Sequence, residues 1–113
     1  MELSCHCGNI TVSAEPLPGE VASCNCSICR RYAVLWAYYR PDQVRVSFRR
    51  SPTVFYLWGD QQVEFHRCDE CGCVTHYVTT ADCEADVSAV NMRMAEPAML
   101  ANLPVRQIDG ASY

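Results

Sequence analysis

Seven of the nine cysteines in this 113-residue chain fall into three tight clusters, and this grouping constrains the fold more than any other feature of the sequence. The clusters are Cys5-x-Cys7, Cys24-x-Cys26-x-x-Cys29 and Cys68-x-x-Cys71. A structural zinc site needs four ligands, whereas a catalytic site needs three and an exchangeable group. Seven thiolates suffice for one closed four-sulfur site and one open three-sulfur site, so the sequence predicts two zinc ions per chain.

The cysteines are expected to bind metal rather than to form disulfides. Their count is odd, and Cys-x-x-Cys spacings are typical of zinc sites. The first residues, MELSCHCGNI, contain neither the basic region nor the apolar run of a signal peptide. No stretch approaches the roughly 18 apolar residues of a membrane span. We therefore expect a cytoplasmic protein whose thiols stay reduced and available for zinc.

Length and charge narrow the class of protein further. A chain of 113 residues is typical of one domain, so residues 1–113 are expected to fold as a single zinc-binding domain. The formal net charge of −4 makes a nucleic-acid partner unlikely, because nucleic-acid-binding domains usually carry a basic face. The sequence does not indicate an oligomeric state.

Short segments rich in Val, Tyr, Phe and Thr lie between evenly spaced Pro, Gly and Asp residues, which predicts a mainly β fold. Strands are predicted over residues 9–14, 33–39, 44–48, 53–58, 62–66, 74–78 and 87–93. Gly59-Asp60 is predicted to form a hairpin turn, since glycine adopts positive φ without steric cost. A helix is predicted over residues 96–102, with Pro97 in its first turn. A short helical turn is predicted from Cys26 to Tyr32.

The first predicted zinc site combines two distant cysteine pairs. In Cys68-x-x-Cys71-Gly72, a tight turn lets two sulfurs converge on one ion, and Gly72 can take positive φ where the turn ends. A Cys-x-Cys pair in a regular strand would point its sulfurs to opposite faces, so Cys5 and Cys7 must lie in a bulge or turn. This site is expected to tie the N-terminal strand to the centre of the sheet and to contribute to folding.

The second predicted site lies in a loop that carries Cys24, Cys26 and Cys29 within six residues. The loop contains no fourth cysteine, so the metal would keep a position for an exogenous thiol, held as a nucleophilic thiolate. Such a centre suits the formation or cleavage of a carbon–sulfur bond. The alternative is a second closed structural site, with Cys73, Cys83 or a histidine as the fourth ligand.

Several other side chains are candidates for substrate contacts. Arg30 and Arg31 follow the second cluster directly and could bind the carboxylate of a ligand, or could instead neutralise the thiolates. His66 and His76 are candidates for a general base, although structural roles fit them better. The aromatic residues are expected first at core or edge positions, with one or two as candidates for a pocket wall; they are Trp36, Tyr38, Tyr39, Phe55, Tyr56 and Trp58.

The ordered motifs Cys5-x-Cys7-Gly8, Cys24-x-Cys26-Ser27-x-Cys29-Arg30-Arg31 and Cys68-x-x-Cys71-Gly72 resemble the glutathione-dependent formaldehyde-activating enzyme family, which includes centromere protein V. The resemblance covers nearly the whole chain. It implies a β-tent of paired antiparallel sheets organised around zinc. It also implies a structural zinc on Cys5, Cys7, Cys68 and Cys71, and a catalytic zinc on Cys24, Cys26 and Cys29.

Two function hypotheses follow. The first is a zinc-dependent carbon–sulfur lyase of the S-(hydroxymethyl)glutathione synthase type, because the resemblance implies adduct formation between glutathione and formaldehyde. The thiol partner would then be glutathione or a related small thiol, and the electrophile formaldehyde or another small carbonyl. The second is a non-catalytic zinc-binding β module that mediates protein or nucleic-acid interaction. An exchangeable ligand on the second metal would separate the two hypotheses.

Overall fold

A computed structural model describes residues 1–112, which form two β-sheets and two short α-helices. The strands are β1 Glu2–Ser4, β2 Ile10–Ala14, β3 Val21–Cys24, β4 Trp36–Tyr39, β5 Val44–Phe48, β6 Val54–Tyr56, β7 Val63–Arg67, β8 Val74–Thr79, β9 Ser88–Asn91 and β10 Val105–Ile108. The helices are α1 Ser27–Tyr32 and α2 Pro97–Leu100, and 3-10 turns span Pro41–Gln43, Met92–Met94 and Gly110–Ser112. The predicted mainly β class is confirmed.

The strands form a three-stranded sheet in the order β1-β2-β5 and a seven-stranded sheet in the order β10-β3-β4-β9-β8-β7-β6. All neighbouring strands pair antiparallel except β10 and β3, which pair in parallel. This one parallel pair lies at the edge of the large sheet, next to the antiparallel pairs that the resemblance implied. It arises because the chain returns from α2 along β3, where the Val21 amide donates to the Pro104 carbonyl at 3.0 Å.

Both faces of the seven-stranded sheet carry buried side chains, because successive residues of a strand point to opposite sides. One face packs on the three-stranded sheet, and both sheets contribute to the apolar cluster between them, which includes Ile10, Val12, Ala37, Tyr39, Val90 and Met92. The other face carries Trp36, Phe65 and Ala89, and Cys29 packs among them. The two predicted metal sites therefore belong to different parts of the molecule, since Cys5 and Cys68 lie in the first apolar cluster.

All seven predicted strands are present, although most are shorter than predicted, and three further strands were not predicted. The segment 33–35 is not part of a strand, because Ala33 ends α1 with a left-handed φ of 55°. The missed strands are β1, β3 and β10. They are three or four residues long, and the exposed β10 has no alternating apolar pattern. The predicted helix over 96–102 is the single turn α2, which follows Glu96.

Three glycines adopt positive φ at the predicted turns. Gly59 has a φ of 60° between the antiparallel strands β6 and β7, which confirms the hairpin turn. Gly8 and Gly72, at 83° and 76°, follow the two cysteine pairs of the first predicted site. Both pairs lie in turns outside regular strands, as the convergence of their sulfurs requires.

Candidate metal centres

Four sulfur atoms, from Cys5, Cys7, Cys68 and Cys71, lie within 4.8 Å of one another and are called here the four-sulfur cluster. The Sγ atoms of Cys5 and Cys7 are 3.7 Å apart, and those of Cys7 and Cys68 are 3.6 Å apart. Tetrahedral zinc with bonds of about 2.3 Å requires sulfurs about 3.8 Å apart. Two of the six sulfur–sulfur distances match this spacing and the others lie within 4.8 Å, so the four thiols are grouped closely enough to hold one metal ion.

The four-sulfur cluster joins the two sheets. Cys5 and Cys7 lie in the turn between β1 and β2 of the small sheet, and Cys68 and Cys71 lie in the turn between β7 and β8 of the large sheet. We expected this site to tie the N-terminal strand to the centre of the sheet, and this is wrong because the site joins turns of two different sheets. The N-terminal strand belongs to the other sheet, because β1 pairs with β2.

Asn9 holds the surroundings of the four-sulfur cluster in place. Its fully buried side chain donates to the Ser51 carbonyl at 2.9 Å and to Cys68 Sγ at 3.7 Å. Its Oδ1 accepts from the amides of Arg50 at 2.8 Å and Ser51 at 3.2 Å. One side chain thus connects the turn that carries Cys68 and Cys71 to the segment that follows β5. Apart from its position after Gly8, nothing in the sequence indicated this role for Asn9.

Backbone amides stabilise thiolate at the four-sulfur cluster. Burial opposes ionisation of Cys68, but the amides of Cys71 and Glu70 donate to its Sγ and lower the pKa of Cys68 to about 6. The Ile10 amide donates to Cys5 Sγ at 3.2 Å. Sγ of the exposed Cys7 accepts from Arg50 Nη2 at 3.6 Å. Arg50 Nε also forms an ion pair with Glu70 Oε2 at 2.8 Å. The donors favour thiolate, the form that binds metal, at Cys68. At Cys7, a backbone hydrogen bond from Asn9 is outweighed by desolvation and the neighbouring thiols, which raise the pKa to about 11.

The sulfurs of Cys24, Cys26 and Cys29 also lie within 4.8 Å of one another and are called the three-sulfur cluster. Cys24 ends β3, Cys26 is the N-cap of α1, and Cys29 lies in the first turn of that helix. Cys26 Sγ accepts from the Cys29 amide at 3.4 Å, and Cys29 Sγ accepts from Trp36 Nε1 at 3.4 Å. The helical turn predicted after Cys26 is confirmed, and it brings the three thiols together.

The thiols of the three-sulfur cluster ionise unequally. Partial burial opposes ionisation of Cys26, but hydrogen bonds from the Cys29 amide and from the neighbouring thiols of Cys29 and Cys24 lower its pKa overall. Burial raises the pKa of Cys29 to about 12, although the Trp36 indole N–H partly offsets the effect. Cys26 is therefore the first of these two thiols to be available as thiolate.

The C-terminal strand and turn hold the loop of the three-sulfur cluster. The Asn25 amide donates to the Ile108 carbonyl at 3.1 Å. Asn25 Nδ2 donates to Asp109 Oδ1 at 2.9 Å, and Asn25 Oδ1 accepts from the Ala111 amide at 3.0 Å. A Cβ on Gly110 would lie 2.5 Å from Cys24 Sγ. The chain end is thus one wall of the cluster, and that wall has room only for glycine.

Cys73 lies beside the four-sulfur cluster, away from the three-sulfur cluster. It packs in the apolar cluster between the sheets, where burial and then the charge of Cys71 raise its pKa. Among residues 1–112, no further His, Cys, Asp or Glu ligand atom lies within 4.8 Å of all three sulfurs of the three-sulfur cluster. Cys73, Cys83 and the histidines therefore do not complete that cluster in this conformation.

The predicted base candidates His66 and His76 lie on the sheet face opposite the three-sulfur cluster. Phe65 and Tyr77, their neighbours on β7 and β8, point to the face that carries Cys29. The two imidazole rings stack on each other with centroids 4.5 Å apart. Burial, and then the proximity of His66, lowers the pKa of His76 to about 3. His76 is consequently a neutral structural residue at neutral pH.

Two tyrosines that the sequence did not single out as polar groups lie on the same face as the three-sulfur cluster. The rings of Tyr38 and Tyr77 have centroids 6.4 Å apart. Burial, followed by the charges of Cys24 and Cys29, raises the pKa of Tyr38 to about 12. Burial and the charge of Tyr38 also raise the pKa of Tyr77. Both phenols stay protonated at neutral pH and can donate hydrogen bonds.

The two predicted carboxylate-binding arginines differ in position. Both are exposed on α1, but only Arg31 lines a cavity, which has a volume of about 260 Å³ and also contacts Tyr56 and Trp58. Arg31 Nη1 donates to the Ser27 carbonyl at 2.7 Å within the helix. A second cavity, of about 350 Å³, includes Cys26 in its wall. Two larger cavities have no site cysteine in their walls.

The fold and the clusters define a mainly β protein with one four-sulfur and one three-sulfur site, each able to hold a metal ion. The family model described as glutathione-dependent formaldehyde-activating enzyme matches residues 1–102, which include all seven cluster cysteines. The chain belongs to this family, as the cysteine motifs indicated. Strand β10 and the final turn, which hold Asn25, lie beyond the matched residues.

A crystal structure of a protein from Rhodobacter sphaeroides is similar to this chain, with 27% sequence identity and a TM-score of 0.76. The similarity covers 93% of this chain and 99% of the other. No curated protein matches the chain. Residues 1–112 include no helix long and apolar enough to cross a bilayer.

Proposed function

We propose that this protein is a zinc-dependent carbon–sulfur lyase that acts on adducts between a small thiol, glutathione or a related one, and formaldehyde or another small carbonyl. Family membership supports the reaction class. The observation that carries the assignment to a site is the three-sulfur cluster, to which no fourth protein ligand is added among the described residues. The four-sulfur cluster fits the structural role, since it brings together the four ligands that a closed site needs.

In this proposal Cys24, Cys26 and Cys29 hold the catalytic zinc, which would supply a fourth position where an incoming thiol ionises and remains nucleophilic. The Cys29 amide and the Trp36 indole donate to the cysteine sulfurs and hold them in position. The phenol of Tyr38 stays protonated and is suited to donate to an oxygen that gains negative charge. Arg30 and Arg31 would bind a carboxylate of the thiol, and Arg31 is better placed because it lines a cavity.

The experiment combines metal analysis with a thiol titration. Protein repleted with zinc should contain two ions per chain. After cobalt substitution, glutathione should shift the visible bands of one site only, and the shift should saturate. Arg31→Ala should weaken this response more than Arg30→Ala, and Cys73→Ala should leave it unchanged. An unresponsive cobalt spectrum at millimolar glutathione would contradict the proposed function.

The second candidate function is a non-catalytic binding module, and the exposed aromatic side chains of the β6 edge favour it. Phe55 and Tyr56 are each 48% exposed on the outermost strand of the large sheet. Exposed aromatic groups on an unpaired sheet edge are typical of protein interaction sites. In that case the second metal would be structural. The same cobalt titration separates the candidates, since a structural site should not respond to glutathione.

A further inference from the structure

The cavity beside the three-sulfur cluster is apolar, and we call it the Trp58 pocket. It has a volume of about 350 Å³, and its walls include Cys26, Ile28, Trp58, Asp60, Val63 and Phe65. Binding sites for small molecules span roughly 300–1,000 Å³, so this pocket suits one compact group. It shares Ile28 and Trp58 with the smaller cavity that contains Arg31.

The chemistry of the Trp58 pocket matches neither half of a glutathione–formaldehyde adduct. Glutathione carries two carboxylates and an ammonium group, whereas Asp60 is the one charged residue of this wall. The Asp60 carboxylate already accepts from the Gln62 amide at 3.3 Å. Burial of a polar or charged group without a hydrogen-bond partner costs free energy, so the charged groups of glutathione would bind poorly in this pocket. Formaldehyde has only hydrogen atoms on its carbonyl carbon and would leave the pocket empty.

The position of the pocket identifies which part of an adduct reaches it. Cys26 belongs both to the three-sulfur cluster and to the pocket wall. Gly110 blocks the Cys24 side of the cluster, and Trp36 covers Cys29. These neighbours leave the Cys26 side as the open approach to the cluster. A substituent on a carbon bonded to a thiol held there would reach the Trp58 pocket.

We propose that the Trp58 pocket binds the apolar substituent of the carbonyl substrate, so that the preferred substrate is an aldehyde with an aryl or branched alkyl group. This inference rests on the proposed function of the three-sulfur cluster. In the addition, the thiolate sulfur forms a bond to the carbonyl carbon, the carbon–oxygen π pair moves to oxygen, and oxygen takes a proton from water. The product is a hydroxyalkyl thioether, and the lyase direction is the reverse.

Stable thioether mimics test the pocket by binding rather than by turnover. S-benzylglutathione places a phenyl ring where an aryl aldehyde would place it, and S-methylglutathione represents the formaldehyde adduct. Calorimetric titration of the zinc-loaded protein should give at least about tenfold tighter binding for the benzyl compound, because its ring leaves water for apolar walls. Equal affinities for the two compounds would overturn the pocket proposal.

Substitution of the pocket wall provides the matched test. Trp58→Ala should remove most of the benzyl preference, measured as the ratio of the two affinities within the same variant, because Trp58 also lines the cavity that contains Arg31 and both affinities can change. Phe48→Ala is the control, since Phe48 is 55% exposed against 43% for Trp58 and lies on β5 of the other sheet. This variant should keep the full preference. A preference that survives Trp58→Ala would also overturn the proposal.

The cobalt titration distinguishes failure of the pocket proposal from failure of the proposed function. If glutathione shifts the cobalt spectrum but both thioethers bind equally, the proposed function stands and the pocket proposal is wrong. If neither thioether binds and glutathione leaves the spectrum unchanged, both proposals are overturned. If the benzyl preference holds and disappears in Trp58→Ala, the pocket is assigned to the carbonyl substituent.

Discussion

The two sulfur clusters differ in how much of the chain builds them. The four-sulfur cluster joins turns of two sheets, and its Cys7 and Cys68 are separated by 61 positions in the sequence. Five N–H groups donate to its sulfurs, from Ile10, Asn9, Glu70, Cys71 and Arg50. Removal of this cluster would leave the small sheet attached to the large one by apolar packing and by polar contacts such as the Arg50–Glu70 ion pair.

The three-sulfur cluster is local by contrast. Its cysteines lie within one loop and the first turn of α1. Two N–H groups donate to its sulfurs, and a cavity opens beside Cys26. Metal at the first cluster would therefore be coupled to folding of the whole domain, whereas metal at the second would be coupled mainly to one loop. This separation would allow the second site to exchange a ligand without loss of the fold.

The largest expected effect comes from replacing one cysteine in each cluster. Cys71→Ser should unfold or aggregate the protein, because binding energy at the four-sulfur cluster is part of the folding energy. Cys26→Ser should remain folded and lose one metal ion. Circular dichroism and zinc analysis of the two purified variants measure the difference. Equal loss of thermal stability in both variants would contradict the comparison.

A smaller effect is expected at Asn9, which supports the four-sulfur cluster without belonging to it. Asn9→Ala removes five hydrogen bonds and leaves the Arg50 and Ser51 amides without this partner. We expect a loss of about 2–3 kcal/mol in the free energy of unfolding, measured by urea denaturation at fixed free zinc.

The control for Asn9→Ala is the exposed Asn102, where alanine should change the free energy of unfolding by less than about 0.5 kcal/mol. The cobalt spectrum of the three-sulfur cluster should be unaffected by Asn9→Ala. A loss of metal from the three-sulfur cluster in this variant would mean that the two sites are coupled.

The sequence predicted the ligand clusters well because ligand spacing is local information. Cys68-x-x-Cys71-Gly72 specifies a turn, and Gly72 indeed adopts positive φ. Cys24, Cys26 and Cys29 lie close enough in sequence that a short helical turn brings them together. Mainly β structure was predictable from strand composition, since all seven predicted strands form.

The sequence could not predict contacts that depend on the path of the chain. Cys73 is only two positions from Cys71. Whether it can act as a ligand in either cluster depends on which side of the Cys68–Cys71 turn it lies, and the sequence does not specify that side. Asn25 meets Ala111 across 86 positions through the parallel strand β10, whose exposed V-R-Q-I sequence has no periodic signal. The pocket wall likewise combines α1 with the β6–β7 turn, and neither segment predicts the other.

A moderate and selective effect is expected where the C-terminal turn meets the three-sulfur cluster. In Gly110→Ala, the new Cβ would lie 2.5 Å from Cys24 Sγ, so the sulfur or the turn must move. We expect about tenfold weaker metal binding at this cluster, from competition with a chromophoric chelator, and unchanged binding at the four-sulfur cluster.

Gly19→Ala is the matched control for Gly110→Ala, since a Cβ on Gly19 would meet no atom within 4 Å. It should leave both metal affinities unchanged. Unchanged affinity in Gly110→Ala would show that the C-terminal turn adapts and does not fix the position of Cys24.

The smallest expected effect concerns the histidine pair on the face that packs toward the four-sulfur cluster. The pKa of His76 falls from 6.5 to about 3 on folding, because the side chain is buried and lies against His66. The folded state keeps His76 neutral, while the unfolded state binds a proton below pH 6.5. The stability that depends on neutral His76 is therefore complete above pH 6.5 and is lost as the pH falls from 6.5 toward 3.

Comparison with His76→Asn isolates this effect from the acid release of metal, which both proteins share. The stability difference between wild type and variant should shrink below pH 6.5 by up to about 1.4 kcal/mol per pH unit. Urea denaturation from pH 7.5 to 5.5, with zinc content checked at each pH, measures it. A constant difference for His76→Asn would mean that the folded protein admits a proton at this pair, and that the face opposite the three-sulfur cluster is less closed than its packing indicates.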